Sequence, residues 1–274
     1  MASPSVAEHS LRPKRLDQLV DALQSHGRYT FERQEALHSL GTKHENLKKA
    51  VQLLVRQRRL ASPRRGFYVI VPIEYRVAGA PPAAWYIDDL MKAIGTPYYV
   101  GVLTAAALHG AGHQAPQEFQ VVTPLKPRFV PVGRERIRFL KKRRVSTTPV
   151  MPIKTPTGAM RVSTPEATAL DLLRYVEHAG FLSNVATVLR DLTPKCDPGK
   201  LVDVVAADAA LPHAQRLGYL LDLVESHELS EPVARWVAER RPAWVPLQTG
   251  RSARRARREP RWRLLINARV EPDV

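Results

Sequence analysis

The stretch TKHENLKKAVQLLVRQRRLASPRRGFYVIV, residues 42–71, decides how the first part of this 274-residue chain folds. Thr42 and Glu45 have the spacing of a capping box, in which hydroxyl and carboxylate each accept from the other's backbone amide. Leu47, Ala50, Val51, Leu54 and Val55 follow on one helical face. At about 100° per residue, Glu45, Lys48, Lys49, Gln52 and Arg56 point outward and Asn46 lies on the flank. From Leu60 to Val71 the pattern changes to two short β-runs. Pro63 opens the turn, Gly66 tolerates positive φ, and Phe67, Tyr68 and Val69–Val71 are strand formers. Arg64 and Arg65 stand at the tip, where a folded core has no need of them. Two guanidinium groups in that place call for an anion.

The residues upstream say which one. Leu16, Leu19, Val20 and Leu23 recur at helix spacing until Gly27 stops the run. Thr30 then precedes FERQEALHSLG, expected as a short helix with Phe31, Ala36, Leu37 and Leu40 inward and a break at Gly41. Helix, short helix, sharp turn, capped helix and hairpin is the order of a winged helix-turn-helix. In such a unit the N-terminal residues of the third helix approach base edges in the major groove. Here those are Thr42, Lys43, His44 and Asn46, with Lys48, Lys49, Gln52 and Arg56 further along. Asn and Gln pair with adenine, and Lys donates to guanine or phosphate. The hairpin is the wing, its Arg64 and Arg65 meeting phosphates or the minor groove. DNA is the expected anion.

Charge agrees with this reading. The chain carries 42 basic and 26 acidic residues, a net +16. Residues 1–72 hold 13 basic and 6 acidic, and residues 73–162 hold 13 and 5. Residues 163–250 reverse the balance with 8 and 12, and residues 251–274 return to 8 and 3. A single-sign field over the N-terminal half concentrates a polyanion near it. One cysteine, Cys196, excludes an internal disulfide and fits a reducing cytoplasm. The start lacks an apolar signal segment, and the apolar run Val100–Leu108 is too short to cross a bilayer.

VPIEYRVAGAPPAAW (71–85) reads as a connector broken at Gly79, Pro81 and Pro82. Beyond it a helix is expected near Val102–Leu108. Strands follow at Phe119–Val122, Ile137–Leu140 and Met160–Val162. Thr164, Pro165 and Glu166 then open a helix as cap, first residue and dipole partner. Further helices are expected near Leu182–Leu192, Gly199–Ala206, 214–227 and 232–240, with a last strand in RWRLLINARV.

Catalytic and metal chemistry find little footing. His109 and His113 have ligand-like separation, but Gly110 and Gly112 break the helix that would align them, and no third ligand is near. No P-loop, dinucleotide loop or nucleophile elbow is present. Asp88 and Asp89 read as a solvated helix start, and Asp171 as a polar position beside Leu170 and Leu172. The strip Arg134, Arg136, Arg138, Lys141, Lys142, Arg143 and Arg144 alternates with Ile137 and Phe139. It is expected either as a second basic patch on one strand face or as a charged sheet edge that blocks aggregation.

The strings YYVGVLTAAALHG (98–110), STPEATALDLL (163–173), QRLGYLLDLV (215–224) and LLINARVEPD (264–273) resemble the AbiEi family of antitoxins from type IV toxin–antitoxin pairs. The resemblance implies an α+β chain with three parts. These are a winged helix-turn-helix over 1–78, a connector over 79–97 and a mixed α/β antitoxin domain over 98–274. It further implies a repressor that binds inverted repeats in its own promoter and counters a nucleotidyltransferase-type toxin, with no catalysis, metal or cofactor. A regulator without a toxin and an enzyme acting on nucleic acid are the alternatives. An RNA-binding role finds no stacking module. The arginine-dense RSARRARREPRWR (251–263) is no part of the resemblance. It reads as a loop, a further DNA contact or a toxin-facing surface.

Overall fold

The structure is a computed structural model that describes residues 13–112 and 116–272. It contains two compact units. The first comprises residues up to Gly95 together with 130–136 and 155–158. The second comprises Thr96–Phe129, Ile137–Lys154 and Ala159 onward.

In the first unit, α1 (Leu16–Ser25) leads to β1 (Thr30–Glu32), α2 (Arg33–Leu40), α3 (His44–Arg56), β2 (Leu60–Arg64) and β3 (Phe67–Ile70). The strands form an antiparallel sheet in the order β1-β3-β2. Helix pair, third helix and two-stranded wing are consistent with a winged helix-turn-helix. The core contains the predicted helix stripes, Leu16, Leu19, Val20 and Leu23 of α1 and Leu47, Val51 and Leu54 of α3, which meet over Phe31 and over Tyr68 and Ile70 of the wing. Each such burial contributes about 1.5–3 kcal/mol.

Three local expectations are corrected. Phe31 and Glu32, expected as the start of the short helix, are strand instead and with Thr30 pair with Tyr68, Phe67 and Val69. The Thr42–Glu45 capping box is not made. Lys43 occupies the N-cap position at φ −77°, ψ 152°, without a side-chain cap hydrogen bond. Val55 is 40% exposed rather than inward, since it stands off the 47–51–54 stripe.

After two short 3-10 turns comes α4 (Ile87–Ile94), which ends at Gly95 in the left-handed region. Trp85 is edge-on to both Tyr29 and Tyr75, with ring centroids 5.2 and 5.3 Å away. Gly133, at φ 61°, lies so close to Ala78 and Gly79 that a side chain would strike their backbone. No larger residue fits there.

In the second unit, β4 (Tyr99–Val100) leads through Gly101 into α5 (Val102–Leu108). The strands β5 (Phe119–Thr123), β6 (Arg128–Val132), β7 (Glu135–Lys141), β8 (Val150–Thr155) and β9 (Gly158–Ser163) follow, of which the stretches within 130–136 and 155–158 count with the first unit. They form a six-stranded mixed sheet ordered β6-β7-β5-β4-β9-β8. β5 is parallel to β7, and β4 is antiparallel to β5 but parallel to β9. Five helices come next: α6 (Pro165–Arg174), α7 (Phe181–Leu192), α8 (Pro198–Asp208), α9 (Leu211–Leu223) and α10 (His227–Glu239). Thr164 caps α6 as expected, its hydroxyl accepting from the amide of Ala167. A small sheet closes the unit, in which β12 (Leu264–Ile266) lies between β10 (Val245–Pro246) and β11 (Arg257–Glu259). The main core joins α5–α10 to one side of the sheet through residues such as Val122, Leu172, Leu189, Leu217 and Trp262.

Candidate nucleic-acid interface

Gly41, at φ 57° and ψ 31°, ends α2 in the left-handed conformation and lets the chain turn sharply into α3. Leu47, Val51 and Leu54 anchor α3 inward, which fixes its other faces toward solvent. Lys43, His44, Asn46, Lys48, Lys49, Gln52 and Arg56 are exposed, and Thr42 is half-buried. Lys49, Gln52 and Arg56 stand opposite the buried stripe, with Glu45 as the one carboxylate among them. His44 lies 3.5 Å from that carboxylate.

Thr42 and Asn46 occupy a different position. With Leu53, which is 55% exposed, they line a cleft of about 430 Å³ between α3 and the start of α1.

In the wing, Arg64 pairs with Phe67 across a two-residue turn, and Gly66 takes φ 86°. The strand irregularity between Ala61 and Arg64 accommodates Pro63, which has no amide to give the ladder. The two wing arginines are not equivalent. Arg64 donates to the backbone carbonyl of Ala93 in the last turn of α4, at 2.8 Å. Arg65 is exposed at the turn. Sequence reasoning also missed Arg33, whose guanidinium sits 3.7 Å from where a Gly66 side chain would begin. Its proximity to the wing follows from the pairing of β1 with β3, which was not foreseen.

Two other arginines of this unit are neutralised. Arg28 is held by Glu35 at 2.7 Å, and that hydrogen bond raises its pKa. Arg59 is held by Asp21 at 2.6 Å. Asp88 pairs with Lys92, and Asp89 accepts from Thr30 at 2.6 Å, so these carboxylates secure α4 within the fold.

The second basic strip does not form one basic strand face. Ile137 and Phe139 are fully buried as the alternation demands. Arg138, however, is clamped by both oxygens of Glu118 at 2.9 and 2.7 Å and lies over the Phe129 ring. Lys142 is nearly buried, with Asp171 at 3.2 Å. Arg136, Lys141, Arg143 and Arg144 remain exposed. Nor is β7 a sheet edge, since β6 lies outside it.

Asp171 is likewise not an ordinary polar position on an amphipathic helix. It is wholly buried, accepting from Tyr99 Oη at 2.6 Å and facing Lys142 and Arg174. Burial, and then the Asp171 charge, push the Tyr99 hydroxyl well above its ordinary pKa. His109 Nε2 lies 2.7 Å from the Ser163 carbonyl, and its companion His113 falls outside the described residues. Among the described residues no group of His, Cys, Asp and Glu is arranged to hold a metal, and no helix is long and apolar enough to cross a membrane.

Comparison with known proteins bears on the second unit most directly. No curated protein matches the chain. Among solved structures, the RV2827C protein from Mycobacterium tuberculosis superposes with a TM-score of 0.64 over 92% of this chain and 91% of that one. At 17% identity the likeness is one of fold. The AbiEi antitoxin C-terminal domain matches residues 99–223, the segment from β4 to the end of α9. Over that segment, a little under half of its length, the chain is similar to the AbiEi antitoxins.

Proposed function

We propose that the chain is both the repressor and the antitoxin of a type IV toxin–antitoxin pair, acting in the cytoplasm. Its N-terminal part, 1–78, binds inverted repeats in its own operon promoter. The segment 79–97 connects this part to 98–274, which counters a nucleotidyltransferase-type toxin. No catalytic residue, metal or cofactor enters this role. One observation carries the DNA half: α3 exposes Lys49, Gln52 and Arg56 opposite its buried stripe and Lys48 on the flank, in the same unit as a wing that exposes Arg65. The similarity of residues 99–223 to the AbiEi antitoxins supports the antitoxin half.

On this reading Thr42, Lys43, His44 and Asn46 approach base edges, and Lys48, Lys49, Gln52 and Arg56 span bases and phosphates. Arg64 and Arg65 follow the adjoining backbone. The deciding experiment is a gel-shift titration against the chain's own upstream promoter and a scrambled duplex, at two salt concentrations. Wild type is compared with the Lys49→Ala/Arg64→Ala/Arg65→Ala variant. Promoter-selective binding that the triple variant loses is expected. Equal binding of both duplexes by both proteins overturns the reading and reduces the +16 charge to non-specific attraction. For the antitoxin half, a nucleotidyltransferase gene is expected immediately downstream, and co-expression must relieve the growth arrest that its product causes.

A further inference from the structure

The second unit holds a cleft of about 460 Å³ that the reading above does not use. Its walls carry Lys141, Lys142, Arg143, Arg144 and Arg174 against a single carboxylate, Asp208. Lys141, Arg143 and Arg144 form an exposed cationic rim just past the end of β7. The floor is different in kind. The Lys142 side chain is 9% exposed, held 3.2 Å from Asp171 and 3.8 Å from Asp208. Arg174 pairs with Asp208, and His213 Nδ1 lies 3.7 Å from the same carboxylate. Burial alone would raise the pKa of Asp208, but His213, Arg174 and Lys142 together hold it below the ordinary range.

The floor is charge-balanced and rigid, yet its hydrogen bonding is incomplete. Three buried floor atoms, Arg174 Nε, Asp208 Oδ2 and His213 Nδ1, make no hydrogen bond, although Arg174 Nε lies 3.8 Å from Asp171 and His213 Nδ1 lies 3.7 Å from Asp208 Oδ2. Of these, the Arg174 N–H is the donor that an anion can take up. Two cations are thus locked by Asp171 and Asp208 at the bottom of a cleft, below three more that are free to close on an occupant. Side chains positioned in advance lose little entropy on binding. Guanidinium groups match the paired oxygens of phosphate. The volume falls within the range of about 300–1,000 Å³ typical of small-ligand sites.

We infer that this cleft binds a short phosphate chain, as carried by a nucleoside triphosphate or by free polyphosphate. A singly charged anion would engage one or two of the five cations, whereas three linked phosphates reach rim and floor together. The site lies wholly in the AbiEi-type unit and does not depend on DNA binding by α3.

The test is calorimetric titration of the full chain with sodium tripolyphosphate, ATP and adenosine at matched ionic strength. Saturable binding of tripolyphosphate is expected, and none of adenosine. Arg143 and Arg144 are exposed, so Arg143→Ala/Arg144→Ala leaves the fold intact and weakens binding by about tenfold or more. Arg254→Ala/Arg255→Ala removes the same charge elsewhere and leaves affinity unchanged. ATP binding at least as tightly as tripolyphosphate identifies a nucleotide occupant, and rejection of ATP alone identifies free polyphosphate. No saturable binding, or equal weakening by the two double variants, overturns the inference.

Discussion

The six-membered ring of Trp262 lies directly over the α-carbon of Gly218, in the space that a side chain at that position would occupy. Trp262 is fixed there by its indole donating to Asp222 at 2.6 Å, and its carbonyl accepts from Gln215 at 2.9 Å. Gly218 is therefore the point at which α9 admits the C-terminal segment.

Gly218→Ala separates two opposing effects. In an exposed helix this change stabilises by about 1 kcal/mol. Here the added methyl must displace a buried indole, and overpacking of this kind costs about 1–3 kcal/mol. Equilibrium urea unfolding should show net destabilisation, and a rise in stability would mean that Trp262 yields freely.

Asp171 and Lys142 should behave as a coupled pair. Asp171→Ala leaves the buried Lys142 ammonium only the more distant Asp208, at 3.8 Å, and breaking such a pair costs about 3–5 kcal/mol. Asp171→Leu/Lys142→Met removes both charges and should recover much of that loss. A double-mutant cycle by denaturant unfolding measures the coupling, and additive losses would refute it.

The wing arginines should differ in their effect on DNA affinity. Arg64 is already bonded to the Ala93 carbonyl, whereas Arg65 is exposed at the turn. Arg65→Ala should reduce the salt-dependence slope of binding by about one, as expected for one lost phosphate contact. Arg64→Ala should change that slope less and lower the thermal midpoint instead. Fluorescence anisotropy across a salt series, paired with a melting curve, reads both.

Glu135 supplies a pH dependence. Burial pushes its carboxyl up to about 7, only partly offset by the hydrogen bond from the Ala83 backbone. The folded state thus keeps a proton that the unfolded chain, with an ordinary carboxyl near 4.5, has released. Stability from this group is present below about pH 4.5 and declines as pH rises towards 7. Glu135→Gln should flatten that decline and raise the melting temperature at pH 8 relative to wild type. An unchanged profile would mean that Glu135 is solvated.

The sequence made the helices legible where one periodic stripe meets one core. Leu16–Leu23, Leu47–Leu54 and the Thr164–Pro165–Glu166 start are of this kind, because 3.6-residue spacing and capping chemistry are local. The basic face of α3 was legible for the same reason. What escaped depended on pairing across long separations. Thr30–Glu32 is strand because Val69 stands opposite, and Arg33 nears the wing as a result. Asp171 looked like a polar residue on a helix until Tyr99, 72 positions away, and Lys142, 29 away, closed on it. The apparent basic strip failed because Glu118 and Asp171 each cancel one of its members.

The irregularity at Ser62–Pro63 reaches beyond the turn it shapes. β2 is the outer strand of its sheet, and a proline with a register shift denies a neighbouring chain a continuous ladder of amides there. At the opposite margin β1 presents only three residues. Neither margin of this three-stranded sheet therefore offers a second copy a long ladder to extend.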